Sequence, residues 1–120
     1  MSGLKTYKEL IVWQKSILLV KEIYALVISF PEDEKFGLTS QIKRASVSIP
    51  SNIAEGWGRA SRKNYIQFLR ISRGSLYEVE TQLIIAKELN YINDCKTAEG
   101  LLEEISKMLN SLIKKLEDKD

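Results

Sequence analysis

A line of polar side chains in the middle of the chain is the first candidate for chemistry. It recurs every three or four positions, and its members are Gln41, Arg44, Ser48, Asn52 and Glu55. If this segment is an α-helix, the spacing places all five within about 80° of arc on one face. A guanidinium group, a hydroxyl, an amide and a carboxylate on one face could bind a ligand or act in catalysis. They could also hydrogen bond to the backbone or to a neighbouring helix.

The composition argues against the catalytic interpretation of this polar line. The chain has no histidine and one cysteine, Cys95, and it lacks the glycine motifs of phosphate-binding loops and nucleophile elbows. It therefore lacks the commonest general base and cannot build a zinc site from cysteines. Glu55 has no second acid in the line to work with. We interpret the line as structural, and we expect no enzymatic activity, no cofactor and no metal site.

Basic side chains concentrate in the same part of the chain and suggest a different chemistry. Residues 36–75 hold seven Lys or Arg residues and one acidic residue, although the net charge of the chain is only +2. A basic strip that includes an aromatic residue suits a phosphate backbone with an occasional stacked base. The candidate nucleic-acid-binding residues are Lys43, Arg59, Arg62, Lys63, Arg70, Arg73 and Tyr77.

Four predicted helices must position these side chains. The chain has only two prolines and six glycines, and apolar residues recur every three or four positions between them, which is typical of amphipathic helices. We predict helices over about 7–29, 38–55, 62–89 and 96–117 in one domain, residues 1–120. In the first helix the predicted core stripe is Leu10, Trp13, Ile17, Val20, Tyr24 and Val27. Such helices should form an all-α, antiparallel, up-down-up-down bundle.

The second predicted helix has an apolar surface on two sides. Its core stripe is Leu38, Ile42, Ala45, Ile49 and Ile53. Its back carries Lys43, Val47, Pro50 and Ala54, where a water-exposed helix would be mostly charged. We therefore expect a second subunit to cover this back. The predicted oligomer interface and polar line comprise Gln41, Arg44, Val47, Ser48, Pro50, Asn52, Ala54 and Glu55.

Pro50 within this helix leaves two structures open. Either one continuous helix bends at the proline, or two shorter helices meet there and Ser48 caps the second. Elsewhere, no apolar run approaches the length of a membrane span. With one cysteine, the chain fits a reducing compartment, so we expect a cytoplasmic protein without a membrane partner.

Three stretches resemble a known family. They are VWQK (Val12–Lys15), FPEDEKFGLTSQIKRASVSIPSNIAEGWGR (Phe30–Arg59) and FLRISRGSLYEVETQL (Phe68–Leu83). In these three stretches the chain resembles the small proteins encoded by intervening sequences within bacterial 23S ribosomal RNA genes. The resemblance implies an antiparallel four-helix bundle that assembles as a ring-shaped homo-oligomer, with a pentamer as the expected form, and it implies no enzymatic activity. It leaves the molecular role open between a scaffold or protein-docking ring and a nucleic-acid-binding protein.

Overall fold

A computed structural model of the chain describes residues 3–119 as four α-helices, with no β-strand in that range. The helices are α1 (Ile11–Leu26), α2 (Leu38–Trp57), α3 (Arg62–Glu88) and α4 (Lys96–Glu117). The predicted all-helical class and the four helices are confirmed. No helix within the described residues has both the length and the apolar character to span a membrane. The predicted domain, 1–120, also includes Met1, Ser2 and Asp120, which lie outside the described residues.

The first helix is shorter than the predicted range 7–29, because that range also contains two short 3-10 turns. One turn, Tyr7–Glu9, precedes α1, and the other, Val27–Ser29, follows it. Between the first turn and α1, Leu10 has an extended backbone with φ −72° and ψ 126°, so the α-helix cannot continue backward through it.

Capping side chains set where the next two helices begin. Glu34 accepts a hydrogen bond from the Leu38 N–H at 3.0 Å at the start of α2. Ser61 accepts one from the Asn64 N–H at 3.1 Å and caps α3. The second helix runs unbroken through Pro50, so the alternative of two shorter helices is excluded.

The four helices share one apolar core. α2 contacts α1 and α3, and α4 also contacts α1 and α3. Removing one aliphatic side chain of this core from water is worth about 1.5–3 kcal/mol. The largest fully buried apolar side chains are Leu19, Ile23, Ile42, Ile49, Ile53, Leu69, Leu76, Val79, Ile105 and Leu109.

The core face predicted for the first helix was wrong in part: Val27 is buried and Leu10 and Trp13 pack against the core, but Ile17, Val20 and Tyr24 do not belong to it. Within α1 the buried side chains are Val12, Ser16, Leu19 and Ile23, whereas Trp13, Ile17 and Val20 are half-buried and Tyr24 is exposed. The helix carries two apolar stripes offset by one residue, and both satisfy a spacing of three or four, so periodicity could not choose between them. Ser16 is tolerated in the core because its hydroxyl donates to the Val12 carbonyl at 2.7 Å.

Candidate functional site

The centre of the polar line is a hydrogen-bonded contact between α2 and α3. The Asn52 amide donates to both the carbonyl and the hydroxyl oxygen of Ser48, at 2.8 Å each. The Ser75 hydroxyl donates to the Ser48 hydroxyl at 2.9 Å, and the Ser72 hydroxyl donates to the Ile49 carbonyl at 2.9 Å. Because these groups satisfy one another, they fix how α2 lies against α3 and present no unpaired nucleophile.

The two ends of the polar line behave differently from its centre. At one end, Glu55 forms an ion pair with Arg59 one turn later, at 2.5 Å. At the other end, Gln41 and Arg44 are exposed and line an open groove shared with Glu78 of α3. Among the described residues, neither Arg44 nor Glu78 forms an ion pair. Residues 3–119 also contain no group of three or more Cys, Asp or Glu side chains suited to holding a metal ion.

Three of the predicted nucleic-acid-binding residues come together at the start of α3. Arg62, Lys63 and Arg70 line an open groove that Leu116 and Glu117 of α4 complete. Arg70 forms an ion pair with Glu117 across this groove. No described carboxylate pairs with Arg62 or Lys63, so these two cations are available to an anionic ligand.

The remaining basic residues of the predicted strip have other partners. Lys43 lies over the ring of Tyr24 of α1, with 4.9 Å from its ammonium nitrogen to the ring centroid. Lys43 and Arg59 lie near opposite ends of α2. They are roughly 24 Å apart along the helix axis, at a rise of 1.5 Å per residue. Arg59 lies over the Phe68 ring, and Arg73 donates to the Asn110 side chain at 2.9 Å. The structure therefore does not unite all the predicted residues in one strip.

The back of α2 is covered in part by α1 of the same chain. Pro50 is buried, and an apolar groove runs between α2 and the half-buried stripe of α1. α1 therefore covers part of the surface that was assigned to a second subunit, and coverage of the rest by a second subunit stays a prediction. Val47, with 40% of its surface exposed, remains open to solvent. The groove is lined by Tyr7, Trp13, Ile17, Val20, Val47, Pro50, Ser51 and Ala54.

Sequence reasoning missed an exposed apolar surface on α3, which we call the outer ridge. It consists of Ile71, Gly74, Tyr77, Ile84 and Ile85, and its four large side chains are 41–61% exposed. A Cβ atom at Gly74 would meet no atom within 4 Å beyond its own turn of helix. The available signal was the apolar residues on the helix face opposite the core stripe, where charged residues are usual.

Several side chains with shifted pKa values lie away from the polar line, at the end of the molecule where α1 joins α2 and α3 joins α4, whereas burial raises the pKa of Tyr65 near the start of α3. The hydrogen bond from the Leu38 N–H, helped by one from Tyr91, lowers the pKa of Glu34. The hydrogen bond to Glu34, made at 2.8 Å, raises the pKa of Tyr91. Burial raises the pKa of the Cys95 thiol, which keeps it protonated and unreactive. These shifts follow from local structural contacts.

Comparison with known proteins supports the resemblance found in the sequence. The family model for 23S rRNA-intervening sequence proteins matches residues 8–111. A crystal structure of a protein of unknown function from the S23 ribosomal protein family of Bacteroides thetaiotaomicron is similar, with 30% sequence identity and a TM-score of 0.74. The match covers 86% of this chain and 98% of that chain. Among proteins with curated descriptions, none is significantly similar.

Proposed function

The chain belongs to the family of 23S rRNA-intervening sequence proteins, and on that premise we propose that it is a non-enzymatic scaffold protein of the cytoplasm. Its copies assemble into a ring, with a pentamer as the expected form, and the ring offers a docking surface to another protein. The observation that carries the proposed self-assembly is the outer ridge of α3, whose large apolar side chains are 41–61% exposed in a single chain. Large exposed apolar side chains grouped on one helix face are a feature of protein–protein interaction sites.

The proposed subunit of this ring is an antiparallel, up-down-up-down bundle. Pairs of contacts between successive helices support this arrangement. A Cβ atom at Gly56, near the end of α2, would lie 3.0 Å from the ring of Tyr65 near the start of α3. Ser48, earlier in α2, bonds to Ser75, later in α3. In the same way, Arg70 pairs with the end of α4.

The non-enzymatic part of the proposal rests on how the polar side chains are used. Ser48, Asn52 and Ser75 hydrogen bond to one another, and Glu55 forms an ion pair with Arg59. An acid–base mechanism needs at least one group that is free and suitably positioned. With no histidine in the chain, the polar line contains no obvious general base.

Co-expression of two differently tagged copies tests the proposed assembly. Capture of one tag after nuclease treatment should recover the other copy in comparable amount, because the proposed contact is between apolar protein surfaces. Recovery that disappears on nuclease treatment would mean that nucleic acid bridges the copies. Complete absence of the second copy, with and without nuclease, would overturn the scaffold proposal.

Nucleic-acid binding is the second candidate function, and the unpaired Arg62 and Lys63 favour it. Both lie in the first turn of α3, where the positive end of the helix dipole adds to their charge. Two phosphate contacts would make affinity fall by roughly 1.4–1.8 log units per tenfold rise in salt.

Labelled structured RNA and DNA, titrated across a salt series, test this second candidate. The variant Arg62→Glu/Lys63→Glu should bind weakly and lose most of the salt dependence. The exposed Lys35→Glu serves as a charge-reversal control away from the groove. If the double variant binds as tightly as the unchanged chain, the groove is not a nucleic-acid site.

A further inference from the structure

We infer that the outer ridge of α3 in one copy docks into the groove between α1 and α2 of the next copy. The inference rests on the proposed self-assembly and specifies which surfaces meet. The occupant of each surface is therefore a second copy of this chain.

The outer ridge has the shape and composition of a helix-packing surface. Ile84 is 61% exposed and Tyr77 48%, although both lie on a helix whose opposite face is in the core. Between Ile71 and Tyr77, Gly74 leaves open space where any other residue would place a side chain. A glycine inside a helix costs stability relative to alanine. Close approach of another helix would account for its presence.

The groove between α1 and α2 matches this ridge. One wall is the half-buried stripe of α1, including Trp13 and Ile17, and the other includes Val47 and Ala54 of α2. Seven of its eight lining residues are apolar, and Ser51 is the exception. The ridge extends over fourteen residue steps from Ile71 to Ile85, roughly 21 Å at 1.5 Å per residue. The α2 wall of the groove, from Val47 to Ala54, is roughly 10 Å long by the same measure, so the groove accommodates about half of the ridge.

Charges beside the two surfaces are complementary. Glu78 and Glu88, in the second half of α3, are exposed and have no ion-pair partner in the described chain. Lys21 and Lys43 lie beside the groove at the end of α1 and the start of α2, and neither pairs with a described carboxylate. Docking the acidic half of the ridge at this basic end would place opposite charges together, which favours a second copy as the occupant.

The ridge and the groove are different surfaces of one chain, so the contact is head to tail. Such a contact leaves a free ridge at one end of the assembly and a free groove at the other until the assembly closes on itself. A ring forms if the same rotation, repeated from copy to copy, returns to the first copy. A ridge-to-ridge contact would instead give a two-fold dimer, and this difference can be tested directly.

Site-directed crosslinking distinguishes the two contacts. Val47→Cys and Tyr77→Cys are introduced into separate, differently tagged copies, which are co-expressed and treated with a short bismaleimide. Ridge-in-groove docking predicts a crosslink between the two variants and little within either alone, above the background of the buried Cys95.

Three results would overturn the inference. A strong crosslink of Tyr77→Cys with itself indicates ridge-to-ridge contact. Absence of any crosslink, while differently tagged copies still copurify, leaves the proposed assembly standing and removes this interface. Failure of the copies to copurify at all removes both the interface and the proposed assembly.

Substitution of the two exposed helical glycines gives an independent test. Gly74→Gln should shift the mass in solution toward the single chain, because its side chain enters the proposed contact. Gly100→Gln, on α4, is the matched control, since a Cβ atom there also meets nothing within 4 Å. At protein concentrations low enough to dissociate the assembly, both should unfold at the same or a higher temperature than the unchanged chain. Equal masses for the two variants would contradict docking at Gly74.

Discussion

The two faces of α3 differ in how far contacts within a single chain bury their apolar side chains and pair their polar groups. On the inner face, Leu76 and Val79 are fully buried, and the Ser72 and Ser75 hydroxyls are hydrogen bonded to α2. Among described buried side-chain oxygen and nitrogen atoms, only Gln82 Oε1 lacks a partner. On the outer face, the ridge exposes apolar side chains on either side of an open Gly74.

This difference separates residues that are buried when the chain folds from apolar residues that stay exposed and can contact a second copy. Folding buries apolar surface because its removal from water is favourable, and the inner face of α3 follows that rule. The outer ridge does not follow it within one chain. Substitutions on the inner face should therefore act on the free energy of unfolding, whereas substitutions on the outer ridge should act on assembly.

The largest expected effect on folding is from a cavity in the inner face. Leu76→Ala should lower the free energy of unfolding by about 2–5 kcal/mol, since the side chain is fully buried. Ile71→Ala on the outer ridge is the matched control and should change it by less than about 0.5 kcal/mol in dissociated protein. Chemical denaturation at low protein concentration measures both. Equal losses would erase the distinction between the faces.

The next prediction compares alanine substitutions at two helical glycines, which should change the free energy of unfolding in opposite directions. A Cβ atom at Gly56 would lie 2.8 Å from the Phe68 Cβ and 3.2 Å from the Tyr65 carbonyl oxygen. Gly56→Ala should therefore cost about 1–3 kcal/mol through overpacking between α2 and α3. Gly74→Ala should instead stabilise the dissociated chain by up to about 1 kcal/mol, because alanine favours the helix and meets no neighbour. Thermal unfolding that moves in the same direction for both would contradict this comparison.

The smallest expected effect is at the start of α2. There the Glu34 carboxylate accepts hydrogen bonds from the Leu38 N–H and from the Tyr91 hydroxyl. Because folding lowers the pKa of Glu34 from 4.5, its contribution to stability is present above pH 4.5. It is lost as the pH falls through the folded-state value. Glu34→Gln should therefore lower the unfolding temperature at neutral pH and converge with the unchanged chain in acid. The exposed Glu32→Gln is the control. A gap between the two curves that stayed constant with pH would count against this role for Glu34.

Most of the fold could be predicted from local patterns. The boundaries of α4 match the predicted range, and α3 begins at Arg62, where the third helix was predicted to begin. The apolar stripe of α4 is narrow, so its spacing identifies one core face. The spacing in α1 could not, because two stripes one residue apart are both apolar, and only packing against α2 and α4 decides between them.

The site was less predictable because it depends on which helices become neighbours. Local spacing placed Ser48 and Asn52 on one face, and the structure adds Ser75 from α3 to the same hydrogen-bonded contact. Lys43 was assigned to a basic strip but faces Tyr24 of α1. Position along one helix does not reveal which helix lies beside it. For the same reason, the sequence did not indicate that α1 contributes to covering the back of α2, where Pro50 is buried.

Sedimentation equilibrium of the full chain, over a range of concentrations at moderate salt, tests the central claim most directly. The account predicts a mass that is a whole multiple of the 13.7 kDa chain, with fivefold as the expected value. A single 13.7 kDa species at every concentration would contradict it, because the outer ridge of α3 would then have no second copy to cover it.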